Sequence, residues 1–154
     1  MNNRSFPNHG AIKMRLDDGL LVIEGRGPAN IETVNQYQRS AQAFRDKLNH
    51  APWASLVLLK GEPLLPPEAK HTLLETIKFA CTQNLVATAV VLCDISYERT
   101  VKHFWTSIYD ETPLKYAFFN DQQEAKQWLL QQVESHSSKT TFDIDFDEQS
   151  IAHS

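Results

Sequence analysis

Lys60, Glu62, Asp94 and Ser96 stand at or just after the ends of two short apolar runs, 53–60 and 86–93. If both runs are parallel strands of an open α/β sheet, these side chains arrive together at the carboxyl ends of the strands, where such sheets bind ligands. An amine, two carboxylates and a hydroxyl in one place can do general acid–base work. A small enzyme with a site assembled in space is therefore one functional reading. No short motif supports it: the chain has no G-x-G-x-x-G, Walker loop, G-x-S-x-G or H-E-x-x-H, and no catalytic residue is assigned. Gly25-Arg26-Gly27 precedes a helical pattern, as phosphate-binding turns do, but Pro28 removes one of the N–H donors an anion would use. A tight turn is the simpler reading there.

The six histidines (His9, His50, His71, His103, His136 and His153) never pair at i, i+4. His71 and His103 read as solvated or half-buried helix residues. Cys81 and Cys93 lie in apolar segments with no His or third Cys at ligand spacing, so they read as two buried free thiols. No metal and no cofactor is implied. Free thiols, an N-terminus without an apolar signal region and apolar runs far short of the ~20 residues of a membrane span together predict a cytoplasmic protein.

The most unusual segment is 97–109. Tyr97, Phe104, Trp105, Ile108 and Tyr109 put five large apolar or amphipathic groups into thirteen residues. Val101, Phe104 and Ile108 share one helical face and are expected to pack on a sheet. Trp105 and Tyr109 are four apart and share a flank beyond that stripe. An exposed flank of this kind would be a contact surface for a protein partner, a small apolar molecule or, more weakly, a bilayer interface. Asp110 and Glu111 follow at once and would repel anionic lipid.

Positioning these residues requires alternating strands and helices. Ile12, Met14 and Leu16 alternate with Lys13, Arg15 and Asp17, Asp18-Gly19 supplies a turn, and Leu20 to Ile23 return, which predicts a hairpin over 10–25. Asn30 caps a helix over about 31–49, with Ile31, Val34, Ala41, Phe44 and Leu48 on one face. Trp53 to Lys60 reads as a buried strand, and Pro67 opens a helix ending near Asn84. Val86 to Cys93 is the next buried strand, and Ser96 is expected to cap the third helix. Leu114 to Phe119 forms a short strand, followed by a helix capped by Asn120 or Asp121, with Ala125, Trp128, Leu129 and Val133 inside. The order β-β-α-β-α-β-α-β-α predicts an α/β single domain with about four helices and a mixed, mostly parallel sheet.

Residues 1–8 read as an N-terminal extension and 9–134 as the domain. Residues 135–154, where Phe142, Ile144 and Phe146 alternate with acids, read either as an acidic flexible tail or as a strand added to an exposed edge, in which case a homodimer is possible. Lys and Arg total 15 against 19 Asp and Glu, a net charge of −4. The segment 135–154 holds one base and four acids, so it carries −3 and the other 134 residues −1. A domain without basic excess is not a nucleic-acid binder of the charge-driven kind.

The opening His9-Gly10 before an alternating strand, the Gly27-Pro28-Ala29-Asn30 entry to the first helix and the ending Tyr116-Ala117-Phe118-Phe119-Asn120-Asp121 with Ala125 and Trp128-Leu129 resemble the STAS domain, and within it the SpoIIAA-like bacterial proteins. The likeness spans roughly 9–134 and transfers no catalytic residue. It implies a regulatory module acting through a protein partner, and for the SpoIIAA-like group a small apolar, lipid-like ligand or membrane contact. It also implies a phosphorylatable Ser or Thr at the start of the second helix. Here Lys60 to Glu68 contains no hydroxyl, so the usual phosphate switch has no acceptor. The expectation is a non-catalytic binding or regulatory module acting at its third-helix side.

Overall fold

A computed structural model describes residues 11–153, with side chains described for 11–137. The elements follow the expected order: β1 Ala11–Asp17, β2 Leu20–Arg26, α1 Ile31–Leu48, β3 Trp53–Lys60, α2 Pro67–Thr82, β4 Leu85–Leu92, α3 Glu98–Tyr109, β5 Lys115–Phe119 and α4 Gln122–His153. The extension 1–8 and the His9-Gly10 pair lie outside the described residues.

The five strands are ordered β1-β2-β3-β4-β5. β1 and β2 are antiparallel, from Ala11 opposite Arg26 to Asp17 opposite Leu20, and the rest of the sheet is parallel. Because strands β2 to β5 lie side by side in chain order, right-handed crossovers must place α1, α2 and α3 on the same face. That face holds the larger core, with Leu21, Ile23, Val57 and Val90 of the sheet under Val34, Leu73, Ile77, Val101 and Ile108. The opposite face is left to α4. Ala54, Ala87 and Ala89 are small enough there for the helix to come close, and Ala125 and Leu129 are fully buried against them. Lys126 ties α4 to the hairpin turn through Asp17 (3.3 Å) and Asp18 (2.6 Å).

Local chemistry explains most boundaries. Asn30 Oδ1 accepts from the Thr33 backbone N–H at 3.0 Å while the Thr33 hydroxyl accepts from the Asn30 N–H, a capping box on α1. Asp121 Oδ2 accepts the Glu124 N–H at 2.9 Å and caps α4. Two expectations are corrected. Ser96 does not cap α3: the chain leaves β4 with Asp94 in the left-handed region (φ 53°) and the helix starts at Glu98, with Tyr97 as its cap residue and no side-chain cap. The 135–153 stretch, expected as a flexible tail or an added strand, continues α4 as helical backbone, and residue 134 falls inside that helix. No Gly or Pro follows Pro113, so nothing in the sequence stops the helix.

Candidate functional site

The aromatic flank of α3 points inward. Trp105 is 7% and Tyr109 3% exposed, so the pair is not the open contact surface their spacing suggested, and the bilayer reading loses its two main residues. The reason is the sheet's width: β5 extends it under α3, and Tyr109 stacks on Tyr116 of that strand at 5.1 Å between ring centroids. Trp105 meets Tyr109 at 6.0 Å and Phe104 edge-on at 5.7 Å. Its indole N–H donates to the Pro63 carbonyl at 2.7 Å, which pins α3 to the β3–α2 loop. Val101 and Ile108 are buried and Phe104 is half-buried, as the stripe predicted. Tyr97 alone of the five large residues of this segment stands in solvent, 73% exposed.

Trp105 and Tyr109 form a wall of an apolar cavity of about 90 Å³. Ile12, Ile23, Val57 and Leu59 of the sheet make its floor. Val34 and Tyr37 of α1 and Leu73 and Ile77 of α2 complete the sides. Gly27, Ala29, Pro63 and Leu65, from the loops leading into α1 and α2, lie around its mouth, with the exposed Arg26. The loops touch closely, Gly27 lying against the Glu62 and Pro63 backbone, and the Gly27 N–H donates to the Lys60 carbonyl at the end of β3 at 3.0 Å. Gly25 and Arg26 are thus the end of β2, and the Gly27 N–H that follows is spent on β3 rather than offered to an anion.

The sequence had placed Trp105 and Tyr109 near a site but missed Tyr37. The signal was present, since Tyr37 lies three residues after Val34 and four before Ala41, on the inner stripe of α1. Tyr37 is half-buried, and burial pushes its pKa from 10.0 up to about 12, partly opposed by Arg45. Burial, with Tyr37 adding to it, also raises Tyr109. Both phenols thus ionise at higher pH in the folded chain than in the unfolded one, which loses its protons first. Their stabilising contribution is present below about pH 10 and is lost as pH rises towards 12, at up to about 1.4 kcal/mol per pH unit for each group. Urea unfolding measured from pH 8 upward is expected to show this loss, with the tyrosinate absorbance of two of the four tyrosines appearing only on unfolding. Tyrosinate absorbance equal to all four tyrosines in the still-folded chain would contradict the burial of Tyr37 and Tyr109.

The polar set fares differently. β3 and β4 end side by side, with the Cys93 N–H on the Leu59 carbonyl at 2.8 Å, so Lys60 and Asp94 do reach the same edge of the sheet. Lys60, Glu62, Asp94 and Ser96 are all exposed, and among the described residues no hydrogen bond or ion pair joins the four. Lys60 borders a polar hollow shared with Lys13, Glu24 and Arg26, without Glu62 or Asp94. The hollow that Lys60 borders therefore does not gather the four into the single cleft that the enzyme reading needs. His71 and His103 are exposed. Cys81 and Cys93 are half-buried rather than buried, free, and packed against opposite faces of the sheet. Burial raises the Cys81 thiol, which makes it a poor nucleophile. Among the described residues no group of His, Cys, Asp and Glu could hold a metal ion, and no helix is long and apolar enough to cross a membrane.

No protein-family model and no curated protein sequence matches the chain. Solved structures do. An uncharacterised protein of the DUF3478 family with a SpoIIAA-like fold, from Shewanella loihica, superposes with a TM-score of 0.58 at 18% identity, over 81% of this chain and 97% of that one. An anti-sigma factor antagonist from Mycobacterium paratuberculosis gives a TM-score of 0.55 at 16% identity, with the same coverage of 81% and 97%. α2 begins at Pro67 with Pro66 as its cap residue and no side-chain cap, so the helix start that would carry the phosphate acceptor offers no hydroxyl in this chain. With a hairpin-led, mostly parallel five-stranded sheet and four helices, the chain has the SpoIIAA-like fold of the STAS domain.

Proposed function

We propose that this chain is a non-catalytic binding module that takes a small apolar molecule into the cavity between the sheet and α1–α3, and that occupancy of the cavity is read by a protein partner. The carrying observation is the cavity's construction: an apolar interior walled by three helices, with a mouth made by the two loops that precede α1 and α2. Apolar cavities stay dry and bind apolar molecules; one of about 150 Å³ holds benzene, so this smaller space takes such a molecule only with part of it in the mouth. The likeness to an anti-sigma factor antagonist supports the regulatory half of the reading. In a chain with no hydroxyl at the start of α2, a ligand under the β3–α2 loop supplies the switch that a phosphate supplies elsewhere. The Trp105–Pro63 hydrogen bond couples that loop to the cavity wall.

The test is thermal unfolding with a hydrocarbon panel running from benzene to branched hexenes, joined to amide chemical-shift mapping. Free ligand at ten times its Kd is expected to add about 1.4 kcal/mol, roughly 4 °C for a domain of this size. Shifts should centre on α1, α3 and the loop 61–66. Ala29→Phe, at the half-buried rim, is expected to block the effect. No stabilisation by any member of the panel, or stabilisation of equal size in the Ala29→Phe variant, would refute the reading.

A further inference from the structure

On the α4 side of the sheet, the ends of β1, β2 and β3 carry a patch of charge. Strand positions two apart share a face, and the pairing sets Lys13 opposite Glu24, Glu24 beside Leu58, and Arg26 beside Lys60. Leu58 belongs to the core under α4, which fixes the face these side chains share. A hollow of about 140 Å³ lies there, bordered by Lys13, Glu24, Arg26, Leu58 and Lys60, and no described residue of α4 reaches it. Its charge is unbalanced. The one carboxylate, Glu24, is bonded to Arg15. The side chains of Lys13, Arg26 and Lys60 have no ion pair or hydrogen bond to a described residue. Arg26 and Lys60 are direct neighbours on adjacent strands, and like charges so placed repel and cost stability until an anion comes between them. This positive patch stands in a chain whose net charge is −4.

We propose that this hollow binds a phosphoryl group, as free phosphate or as a small phosphate monoester, among Lys13, Arg26 and Lys60. A compact dianion suits it better than a carboxylate, because three cations border one small space and each gains from the second negative charge. A guanidinium offers a fork of donors that matches two phosphoryl oxygens, and two ammonium groups serve the rest as point charges. A run of single carboxylates on a peptide would instead match cations spread along a strand. The inference is independent of the cavity reading, since the apolar cavity lies on the other face of the sheet, under α1–α3.

The experiment is amide-shift titration of the whole protein at low salt and pH about 8, where a phosphate monoester is a dianion. The probes are inorganic phosphate, methyl phosphate, acetate and a capped triglutamate peptide. At least one of the two phosphates is expected to bind roughly tenfold tighter than acetate, with shifts centred on 11–13, 24–26 and 58–60. Equal binding of both phosphates assigns the monoester as a ligand, and a strong preference for inorganic phosphate assigns the free anion. Lys13→Gln, Arg26→Gln and Lys60→Gln should each weaken phosphate severalfold. Lys47→Gln, which removes an exposed and unpaired lysine of α1, should leave it unchanged. In anion-free buffer Lys60→Gln should melt at or above the temperature of the parent, because Arg26 loses its like-charged neighbour. Equal weakening by Lys47→Gln, or shifts spread over the whole surface, means an adventitious ion only and overturns the proposal. Acetate binding as tightly as phosphate overturns the choice of a dianion. Tighter binding of the peptide overturns the small ligand in favour of an acidic protein segment. A Lys60→Gln protein that melts below the parent overturns the claim that the two cations repel.

Discussion

Gly27→Ala is expected to be among the most damaging single-methyl additions available in this chain. A Cβ at position 27 would lie 1.9 Å from the Glu62 carbonyl oxygen, 2.4 Å from its carbon and 2.9 Å from the Pro63 Cα. All three are backbone atoms, so no rotamer change relieves the overlap and one loop must move. Moving it breaks the Gly27–Lys60 hydrogen bond and displaces Pro63, whose carbonyl holds the Trp105 indole. Overpacking of this kind costs about 3 kcal/mol, a large share of a typical domain's stability. Two neighbouring glycines supply the scale. Gly25→Ala meets only Leu59 Cδ2 at 3.4 Å, an ordinary contact, and is expected to be nearly silent. Gly19→Ala meets nothing within 4 Å but must hold φ at +80°, worth about 1 kcal/mol of backbone strain. Chemical denaturation of the three variants should rank them 27, then 19, then 25. A Gly27→Ala protein as stable as Gly25→Ala would mean the two loops do not cross as described. The same variant should lose hydrocarbon binding, because the cavity mouth is built from these loops.

That loop crossing shows where sequence reading ends. Strands and helices were legible because each is set by a local period: β3 as an unbroken apolar run, β1 by strict alternation, α1 by a stripe behind an Asn cap. The face that α4 covers was also implied, since three right-handed crossovers in chain order leave one side of the sheet open. What could not be read is contact between segments far apart in the chain. Gly27 looks like a turn residue in the sequence, and only the approach of Glu62 from another loop gives it its real constraint. Trp105 and Tyr109 lie off the main stripe of α3, so helical geometry alone placed them at the surface. β5 and the β3–α2 loop reach round to enclose them. Tyr37 was hidden for a different reason: a Tyr on an inner stripe looks like any core residue until it is seen to line a cavity. Lys60, Glu62, Asp94 and Ser96 were placed at the correct edge of the sheet but not brought together, because strand order fixes where a backbone ends and not where a side chain at its end turns.

Trp105→Ala should destabilise the protein by about 4 kcal/mol, through lost burial and the hole left behind. That loss corresponds to roughly 8–16 °C in melting temperature for a domain of this size. The Pro63 carbonyl also loses its donor, and the packing with Phe104 and Tyr109 goes with the indole. Trp105→Phe separates these effects, keeping most of the apolar volume while removing the N–H. Its cost should be about 1–2 kcal/mol, mostly the unpaired carbonyl. The hole in the Ala variant opens onto the existing cavity, so the two spaces merge. Free indole supplies both missing parts, an aromatic body and an N–H for the Pro63 carbonyl. Indole is therefore expected to raise the melting temperature of Trp105→Ala by several degrees, and to do much less for Trp105→Phe, where the ring space is filled. Such a pattern follows only if Trp105 is a wall of the cavity. If the Ala variant melts near the parent, or gains nothing from indole, the residue does not divide the cavity from the β3–α2 loop. The link between ligand occupancy and that loop would then fall, while the cavity itself would remain.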